Sequence, residues 1–285
     1  MTVVTDETGP LRSTAWLADR LGDPTLRIVD GSFHLPTAGR NPKEEFVQRH
    51  IPGAVFFDID AIADGTSHLP HMLPSADTFA ERVGALGIGS SDTIVAYDAP
   101  GSAAAARIWW TFRVFGHNEV AILDGGLARW LAEGRPVEDG MPSPSRRPFR
   151  ARLQSERVIT RGELVQCIGI ETVVDARGPG RFRGDEPEPR PAKRCGHVPG
   201  ARNLPFMDFL DPDRHGGWRS PDEIAGRFAT AGVDPSQPFI AYCGSGVTAC
   251  VPAFAAYLLG HDRARIYDGS WAEWGNCDDT PIERG

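Results

Sequence analysis

The residues with the clearest chemical potential in this chain are a cysteine and the Gly-x-Gly turn that follows it. Cys243 comes directly after the apolar run 239–242, and Gly244 and Gly246 come next. Glycine lets the backbone curl so that successive N–H groups point towards one centre, where they bind an anion. The helix expected after the turn adds the positive end of its dipole. A negatively charged sulfur would be stabilised there, so the pattern predicts a nucleophilic thiol rather than a buried structural cysteine.

Two other loops that use a nucleophile at a strand-to-helix turn are excluded by the sequence. A phosphatase loop of the Cys-x5-Arg type needs an arginine where this chain has Ala249. Without that guanidinium group the loop cannot clamp phosphoryl oxygens. A Gly-x-Ser-x-Gly hydrolase elbow also fails, because the residue two positions before Ser245 is Cys243 and not glycine.

The segments around the cysteine predict an α/β fold. Short apolar runs without alternation, such as 172–175, are typical of parallel strands that are buried on both faces. Helical patterns lie between such runs, including 221–230 and 247–259, and Gly260 is expected to end the second. Pro252 lies inside that second pattern and would remove a backbone hydrogen bond there, which predicts a late helix start or a kink. Cys243 then stands at the carboxyl end of a strand, where open α/β sheets bind ligands.

The chain also repeats itself once. Asp30 matches Asp175, and the run 95–97 matches 240–242, each 145 positions later. A period of this length indicates a duplicated domain rather than a solenoid. We predict two domains, each a mainly parallel sheet flanked by helices. The predicted segments are an N-terminal domain over 1–140, a Pro-, Ser- and Arg-rich linker over 141–155 and a C-terminal domain over 156–285.

Composition excludes several classes of protein. The net charge of −8 and the pI near 5.5 argue against a nucleic-acid binder. No run approaches the roughly 18 apolar residues that a membrane span needs, and the start of the chain lacks a basic and apolar leader. We therefore expect a cytoplasmic protein. The 5 cysteines include no Cys-x-x-Cys pair, so neither a disulfide framework nor a metal site is expected.

The run Cys-Gly-Ser-Gly-Val-Thr at 243–248 resembles the active loop of the tandem rhodanese-type sulfurtransferases, in particular their 3-mercaptopyruvate branch. Similar segments include the Glu-Pro-Glu-Pro-Arg motif at 186–190 and Tyr-Asp-Gly-Ser-Trp at 267–271. The resemblance extends over nearly the whole chain and implies two rhodanese-like domains. It also implies that the first domain has lost the nucleophile, since Asp98 stands at the position that matches Cys243.

The resemblance implies a set of site residues. Cys243 would carry the sulfur as a persulfide, and Ser245 would act with His71 and Asp60 of the first domain as a catalytic relay. The remaining matches imply substrate-binding residues at Arg181, Arg190, Gly244, Gly246, Val247 and Thr248.

Donor choice can be argued from the same residues. Thiosulfate rhodaneses carry basic residues at the two positions after the cysteine, and this chain has Gly244 and Ser245 there. The planar groups of Arg181 and Arg190 can instead hold a carboxylate bidentately, which suits 3-mercaptopyruvate.

We therefore expect a sulfurtransferase that moves sulfane sulfur from 3-mercaptopyruvate to a small thiol, cyanide or a thioredoxin-like dithiol, and releases pyruvate. No cofactor is expected. Two alternatives stay open at this point: a thiosulfate sulfurtransferase with the same fold, and a non-catalytic sulfur-relay or binding module that docks to a partner protein.

Overall fold

The computed structural model describes residues 9–285, and two parallel sheets organise them. The strands of the first half are β1 (Leu11–Arg12), β2 (Leu26–Asp30), β3 (Val55–Phe56), β4 (Thr93–Tyr97) and β5 (Val120–Leu123). Those of the second half are β6 (Val158–Ile159), β7 (Thr172–Asp175), β8 (Arg202–Asn203), β9 (Leu210–Asp211), β10 (Gly217–Trp218), β11 (Phe239–Tyr242) and β12 (Ala264–Tyr267).

Both sheets have the same topology. The first has the strand order β1-β5-β4-β2-β3, and the second has the order β6-β12-β11-β7-β8. Every pairing within them is parallel, whereas β9 and β10 form a separate antiparallel pair. The predicted fold, two α/β domains with mainly parallel sheets, is confirmed.

Helices cover the sheets on both faces. In the first half they are α1 (Thr14–Ala18), α2 (Pro42–Gln48), α3 (Ile59–Ile62), α4 (Ala76–Ala85), α5 (Ala105–Val114) and α6 (Gly126–Ala132). In the second half they are α7 (Arg161–Cys167), α8 (Pro179–Arg183), α9 (Pro221–Thr230), α10 (Cys250–Leu258) and α11 (Ser270–Trp274). Among the described residues no helix has the length and apolar character that a membrane crossing requires.

The central strands β4 and β11 explain where the two loops of interest lie. Their residues are almost all buried, because helices pack on both faces of each sheet. Each strand ends at a buried tyrosine, Tyr97 or Tyr242, and the next residue is Asp98 or Cys243. The repeat therefore places the aspartate and the cysteine at the same point of two matching sheets.

The position of Pro252 is explained by a late start of α10. The helix begins at Cys250 and not near Val247, so the proline occupies the first turn. Backbone N–H groups of a first turn have no acceptor within the helix, so a proline there removes no hydrogen bond. Gly260 follows the end of the helix with a positive φ of 88°, as predicted.

The two halves meet through α5 and α10. All ten residues of α5 are buried, since the helix lies between its own sheet and the second domain. Trp109 on α5 packs edge-on against Phe254 on α10, with ring centroids 4.9 Å apart. This contact places the carboxyl ends of β4 and β11 next to one shared interface.

The segment between the halves has no regular secondary structure over 139–154 yet is bound to the first domain. Phe149 packs edge-on against Phe79 with centroids 5.7 Å apart, and the Arg147 guanidinium pairs with the buried carboxylate of Asp92. The predicted linker is therefore a strap along the surface of the first domain, while its predicted bounds of 141–155 stay a prediction.

Candidate active site

Cys243 lies on the floor of a cleft between the two domains. The cleft has a volume of about 240 Å³. Its lining includes Cys243, Gly244, Ser245, Val247 and Thr248 from the second domain and the segment around Phe33 from the first. The cysteine is only 2% exposed, so a donor must enter the cleft to reach the thiol.

The backbone around Cys243 is anchored by α11. The Cys243 N–H donates to Ser270 Oγ at 3.2 Å, and the Cys243 carbonyl accepts from the Trp271 N–H at 3.0 Å. Ser270 is fully buried and has a positive φ of 49°, a conformation that non-glycine residues rarely adopt. These bonds fix the start of the loop independently of any ligand.

The rest of the loop leaves its amides available. In the described part of the chain, no protein acceptor binds the N–H groups of residues 244–249. Gly246 makes the turn with a φ of 79°, which a glycine adopts without strain. Gly246 does not line the cleft; it packs on Asp268, and its carbonyl accepts from Arg107 at 3.2 Å. Amides without a protein acceptor in the loop that follows the cysteine can donate to an anionic thiolate or persulfide.

Arg190 contacts the side chains of two residues of the predicted relay. Its Nη1 donates to Ser245 Oγ at 3.3 Å, and its Nη2 donates to His71 Nε2 at 2.9 Å. The group also lies over the ring of Phe33, 5.8 Å from the centroid. Burial lowers the pKa of Arg190, although a guanidinium group stays charged. Arg190 is therefore placed to receive an anion in the cleft.

Arg181 is arranged differently. Its guanidinium pairs with Glu188, which also binds the buried Arg177 at 2.6 Å. The same guanidinium covers Gly244: a Cβ atom built at Gly244 would lie 2.5 Å from Arg181 Nη2. Arg181 also lines the cleft, where it places a positive charge against the loop, and Glu188 holds its orientation.

The predicted relay of Ser245, His71 and Asp60 is brought together, but not as a direct chain. Arg190 lies between Ser245 and His71. On the other side, His71 Nδ1 lies 2.8 Å from Asp60 Oδ1, out of line for a regular hydrogen bond. A guanidinium only donates, so Nε2 of His71 is the unprotonated nitrogen, and the ring proton is on Nδ1 facing Asp60.

Burial keeps His71 neutral. Its pKa is lowered chiefly by desolvation, and the charges of Arg190 and Arg107 act in the same direction, against the opposing effect of Asp60. The contact with His71 in turn lowers the pKa of Asp60. A neutral imidazole beside a charged carboxylate can accept a proton in a reaction near neutral pH.

In the first domain, Asp98 occupies the position that corresponds to Cys243. Its Oδ2 atom accepts from the N–H of Ala105 at 2.9 Å, at the start of α5. A carboxylate therefore takes the place of a bound anion at this helix end, and it cannot carry a sulfane sulfur. Burial raises the pKa of Asp98 to about 6.

The Asp98→Asn variant is expected to be less sensitive to pH. An aspartate whose folded pKa is raised keeps its proton longer in the folded state, so stability falls as pH rises from about 4 to 6. We expect Asp98→Asn to lose this dependence and to gain roughly 2 kcal/mol relative to the wild type between pH 4 and pH 7. Urea unfolding at both pH values measures the difference. Asp77→Asn, at an exposed position in the first turn of α4, is the matched control. Parallel stability profiles for Asp98→Asn and wild type would contradict this expectation.

Three parts of the site were missed by sequence reasoning. Glu188 lies inside the Glu-Pro-Glu-Pro-Arg motif, but neither the motif nor its charge indicates a role for it. Ser270 belongs to a block that repeats in both halves, and so does Asp268, which pairs with Arg107. The internal repeat was the signal that could have identified Ser270 and Asp268, since positions that match in both halves and lie next to a loop often support that loop.

Comparison with known proteins identifies the family. A model of the rhodanese-like domain matches residues 13–133 and again residues 160–277. The chain belongs to the rhodanese-like family. Within it, this rhodanese-like chain is a two-domain sulfurtransferase, as the resemblance implied, since its relatives at 43% and 47% identity are sulfurtransferases.

The relatives of the rhodanese-like chain carry two kinds of name. Human 3-mercaptopyruvate sulfurtransferase is 47% identical over 272 residues, which cover 93% of this chain and 91% of that protein. The thiosulfate sulfurtransferase of Cricetulus griseus is 43% identical over 273 residues, again 93% and 91% of the two chains. The structure of SseA from Escherichia coli, described as a 3-mercaptopyruvate sulfotransferase, has a TM-score of 0.84 at 36% identity and covers 93% of this chain and 100% of its own.

Proposed function

We propose that this chain transfers sulfane sulfur from 3-mercaptopyruvate to a thiol or to cyanide, with Cys243 as the carrier. The observation that supports the proposal best is the thiol of Cys243 on the floor of the inter-domain cleft, in a loop with unpaired amides and within the field of Arg190. The names of the relatives support the same donor, since the human protein is a 3-mercaptopyruvate sulfurtransferase.

In the first half-reaction the Cys243 thiolate attacks the sulfur of the donor. An S–S bond forms, and the C–S bond breaks with its electron pair moving to carbon, which gives the enolate of pyruvate. The proton of the donor thiol then moves to that carbon, so the products are pyruvate and a Cys243 persulfide anion. The free amides of the loop stabilise the negative charge on the outer sulfur.

The proton transfer is the step assigned to His71 and Ser245. The neutral Nε2 of His71 can take the thiol proton once a substrate carboxylate draws Arg190 towards itself. Ser245 then bridges the imidazole and the reacting groups, with Asp60 balancing the charge on the ring. Arg190 binds the carboxylate through its planar fork, and Arg181 adds a positive charge next to the loop.

In the second half-reaction an acceptor removes the outer sulfur. A thiolate attacks it and leaves as a persulfide, or cyanide attacks it and leaves as thiocyanate, and the Cys243 thiolate is restored. A thioredoxin-like dithiol would release the sulfur as hydrogen sulfide when its second thiol closes a disulfide. The identity of the acceptor and a cytoplasmic location remain predictions.

The proposal is tested by steady-state kinetics with both donors and by the mass of the protein. We expect a higher kcat/KM with 3-mercaptopyruvate than with thiosulfate, because that ratio defines specificity. Mixing the protein with donor in the absence of acceptor should add one sulfur atom. A clear preference for thiosulfate would show that thiosulfate, and not 3-mercaptopyruvate, is the donor. Inactivity with every donor, together with tight binding to a partner protein, would support a non-catalytic relay module instead.

Gly244→Arg is expected to shift donor preference towards thiosulfate. The new side chain would bring a cation into the loop, as in thiosulfate rhodaneses, and would displace Arg181 from its place over residue 244. We expect the ratio of kcat/KM for thiosulfate to kcat/KM for 3-mercaptopyruvate to rise about 100-fold, equivalent to about 3 kcal/mol. Gly244→Ala is the matched control, because it displaces Arg181 without adding charge and should gain nothing with thiosulfate. An unchanged ratio in Gly244→Arg would show that residue 244 does not determine the donor.

A further inference from the structure

Arg107 of α5 is buried at the centre of the interface between the domains. It is only 3% exposed, and its guanidinium donates to three acceptors. These are Asp268 Oδ1 at 2.6 Å, the His71 carbonyl at 2.6 Å and the Gly246 carbonyl at 3.2 Å. One first-domain side chain therefore contacts both the loop of the nucleophile and the residue expected to move the proton.

Asp268 completes the arrangement from the second domain. Its Oδ1 atom pairs with Arg107, and its Oδ2 atom accepts from the N–H of Leu73 at 2.8 Å. The buried pair thus holds the chain on both sides of Met72. At the first of these anchors, His71 has a positive φ of 61°, a conformation that is uncommon for a residue other than glycine.

The internal repeat shows which of these features the fold alone requires. In the other half, Gly216 matches His71 and has a φ of 77°. The N–H of Trp218, which matches Leu73, donates to Asp124 at 2.8 Å, as Leu73 does to Asp268. The left-handed turn and its aspartate therefore occur at two places where the domains meet. One is the interface beside the Cys243 loop, which contains the nucleophile, and the other is the interface beside the Asp98 loop, which has none.

Two features differ at the interface that contains the nucleophile. A histidine replaces the glycine in the left-handed turn, although glycine would be unstrained there. The buried Arg107 stands where the second domain has Pro252, which has no charge to offer. At the other interface Asp124 is paired instead with Arg129 and Arg214, which are both partly exposed.

We propose that Arg107 is a positioning residue for sulfur transfer, which fixes His71 relative to the Cys243 loop by holding the carbonyls of His71 and Gly246 together on Asp268. The inference rests on the proposed function for its kinetic test. Without Arg107, His71 is free to leave the left-handed region. Its Nε2 would then move away from Ser245 and Arg190, while the nucleophile and the substrate-binding arginines stay in place.

The test compares kinetic constants of folded variants. We expect Arg107→Met to lower kcat with 3-mercaptopyruvate about 100-fold and to change KM by less than about threefold. The rate of Cys243 alkylation by iodoacetamide should also change less than about threefold. Arg107→Lys keeps the charge but has no planar fork to span three acceptors. Its kcat should therefore be about tenfold higher than that of Arg107→Met and still below that of the wild type.

Asp124→Asn and Arg214→Met are the matched controls at the interface without a nucleophile. They disturb the equivalent turn and should leave kcat within about twofold of the wild type. Because Arg107→Met leaves Asp268 buried without its partner, the double variant Arg107→Met/Asp268→Asn is included as a less strained form. It keeps an acceptor for Leu73 and should show the same loss of kcat.

The outcomes separate the inference from the proposed function. A folded Arg107→Met or double variant with wild-type kcat would overturn the positioning role, and so would an equal loss of kcat in Asp124→Asn. If neither of those two variants folds, wild-type kcat in Arg107→Lys would overturn it. A wild-type chain without activity towards any donor would refute the proposed function instead. A crystal structure of the double or lysine variant would then decide the positioning, since an unchanged left-handed His71 would contradict it.

Discussion

Cys243→Ser is expected to abolish sulfur transfer, with a fall in kcat of at least about 10⁴-fold. The hydroxyl group occupies nearly the same volume in the cleft, so the loop and its anchor on Ser270 should remain intact. A serine hydroxyl is a poor nucleophile at neutral pH and does not form a stable adduct with sulfane sulfur. Pyruvate release and the mass of the donor-treated protein measure both consequences.

The matched control for this substitution is Cys167→Ser. Cys167 is a partly exposed thiol on α7 that contacts Glu171, away from the cleft. It should keep wild-type activity and still gain one sulfur atom. Release of pyruvate by Cys243→Ser at a rate near that of the wild type would refute a carrier role for Cys243.

Arg190→Met is expected to have the next largest effect, a fall in kcat/KM of about 10³-fold with 3-mercaptopyruvate. Truncating one partner of a buried charge pair costs about 2–5 kcal/mol of binding free energy, because the other charge is left buried without a partner. In Arg190→Met that other charge would be the carboxylate of the donor. Most of the loss should appear in KM. Arg190→Lys keeps the charge without the planar fork and should lose about tenfold less.

The same variant is expected to move the acid limb of the pH profile. Arg190 contributes to the lowered pKa of His71, so its removal should raise that pKa towards the usual value. The neutral imidazole then forms only at higher pH, and the rise of kcat/KM with pH should shift upward. Arg183→Met is the control, because Arg183 is exposed and pairs with Asp185. Unaltered kinetics and an unaltered pH profile in Arg190→Met would exclude Arg190 from the site.

Much of the local structure could be predicted from the sequence because its signals are local. The strands at 172–175 and 239–242 have the predicted bounds, since each is a continuous apolar run closed by a polar residue or a turn. Helix α9 covers 221–230 as predicted, with Pro221 in its first turn and a capping box between Ser220 and Glu223. The equal offsets of the repeat were enough to predict two similar sheets.

The arrangement of side chains in the cleft was less accessible to sequence reasoning. Arg190 stands between Ser245 and His71 because the 184–201 segment, which has no regular structure, brings it there. Neither periodicity nor spacing determines the path of such a segment. The pairing of Arg181 with Glu188 has the same cause. A segment with this many charged residues is more often a solvated loop, so only the matched motif indicates a site there.

The start of α10 shows a further limit. The apolar pattern from Val247 suggested a helix from that point, but the chain stays in the loop until Ala249. Propensity favours the longer helix, and the tight packing of Gly246 on Asp268 and Arg107 opposes it.

The complete burial of α5 has a consequence for the history of the duplication. Its apolar surface, including Trp109, is covered by the partner domain, so excising either half would uncover a core and not a solvent-adapted face. Deletion of the half without a thiol would also remove His71 and Asp60. We therefore expect that neither half folds or transfers sulfur without the other, which would explain why the half without a nucleophile is kept.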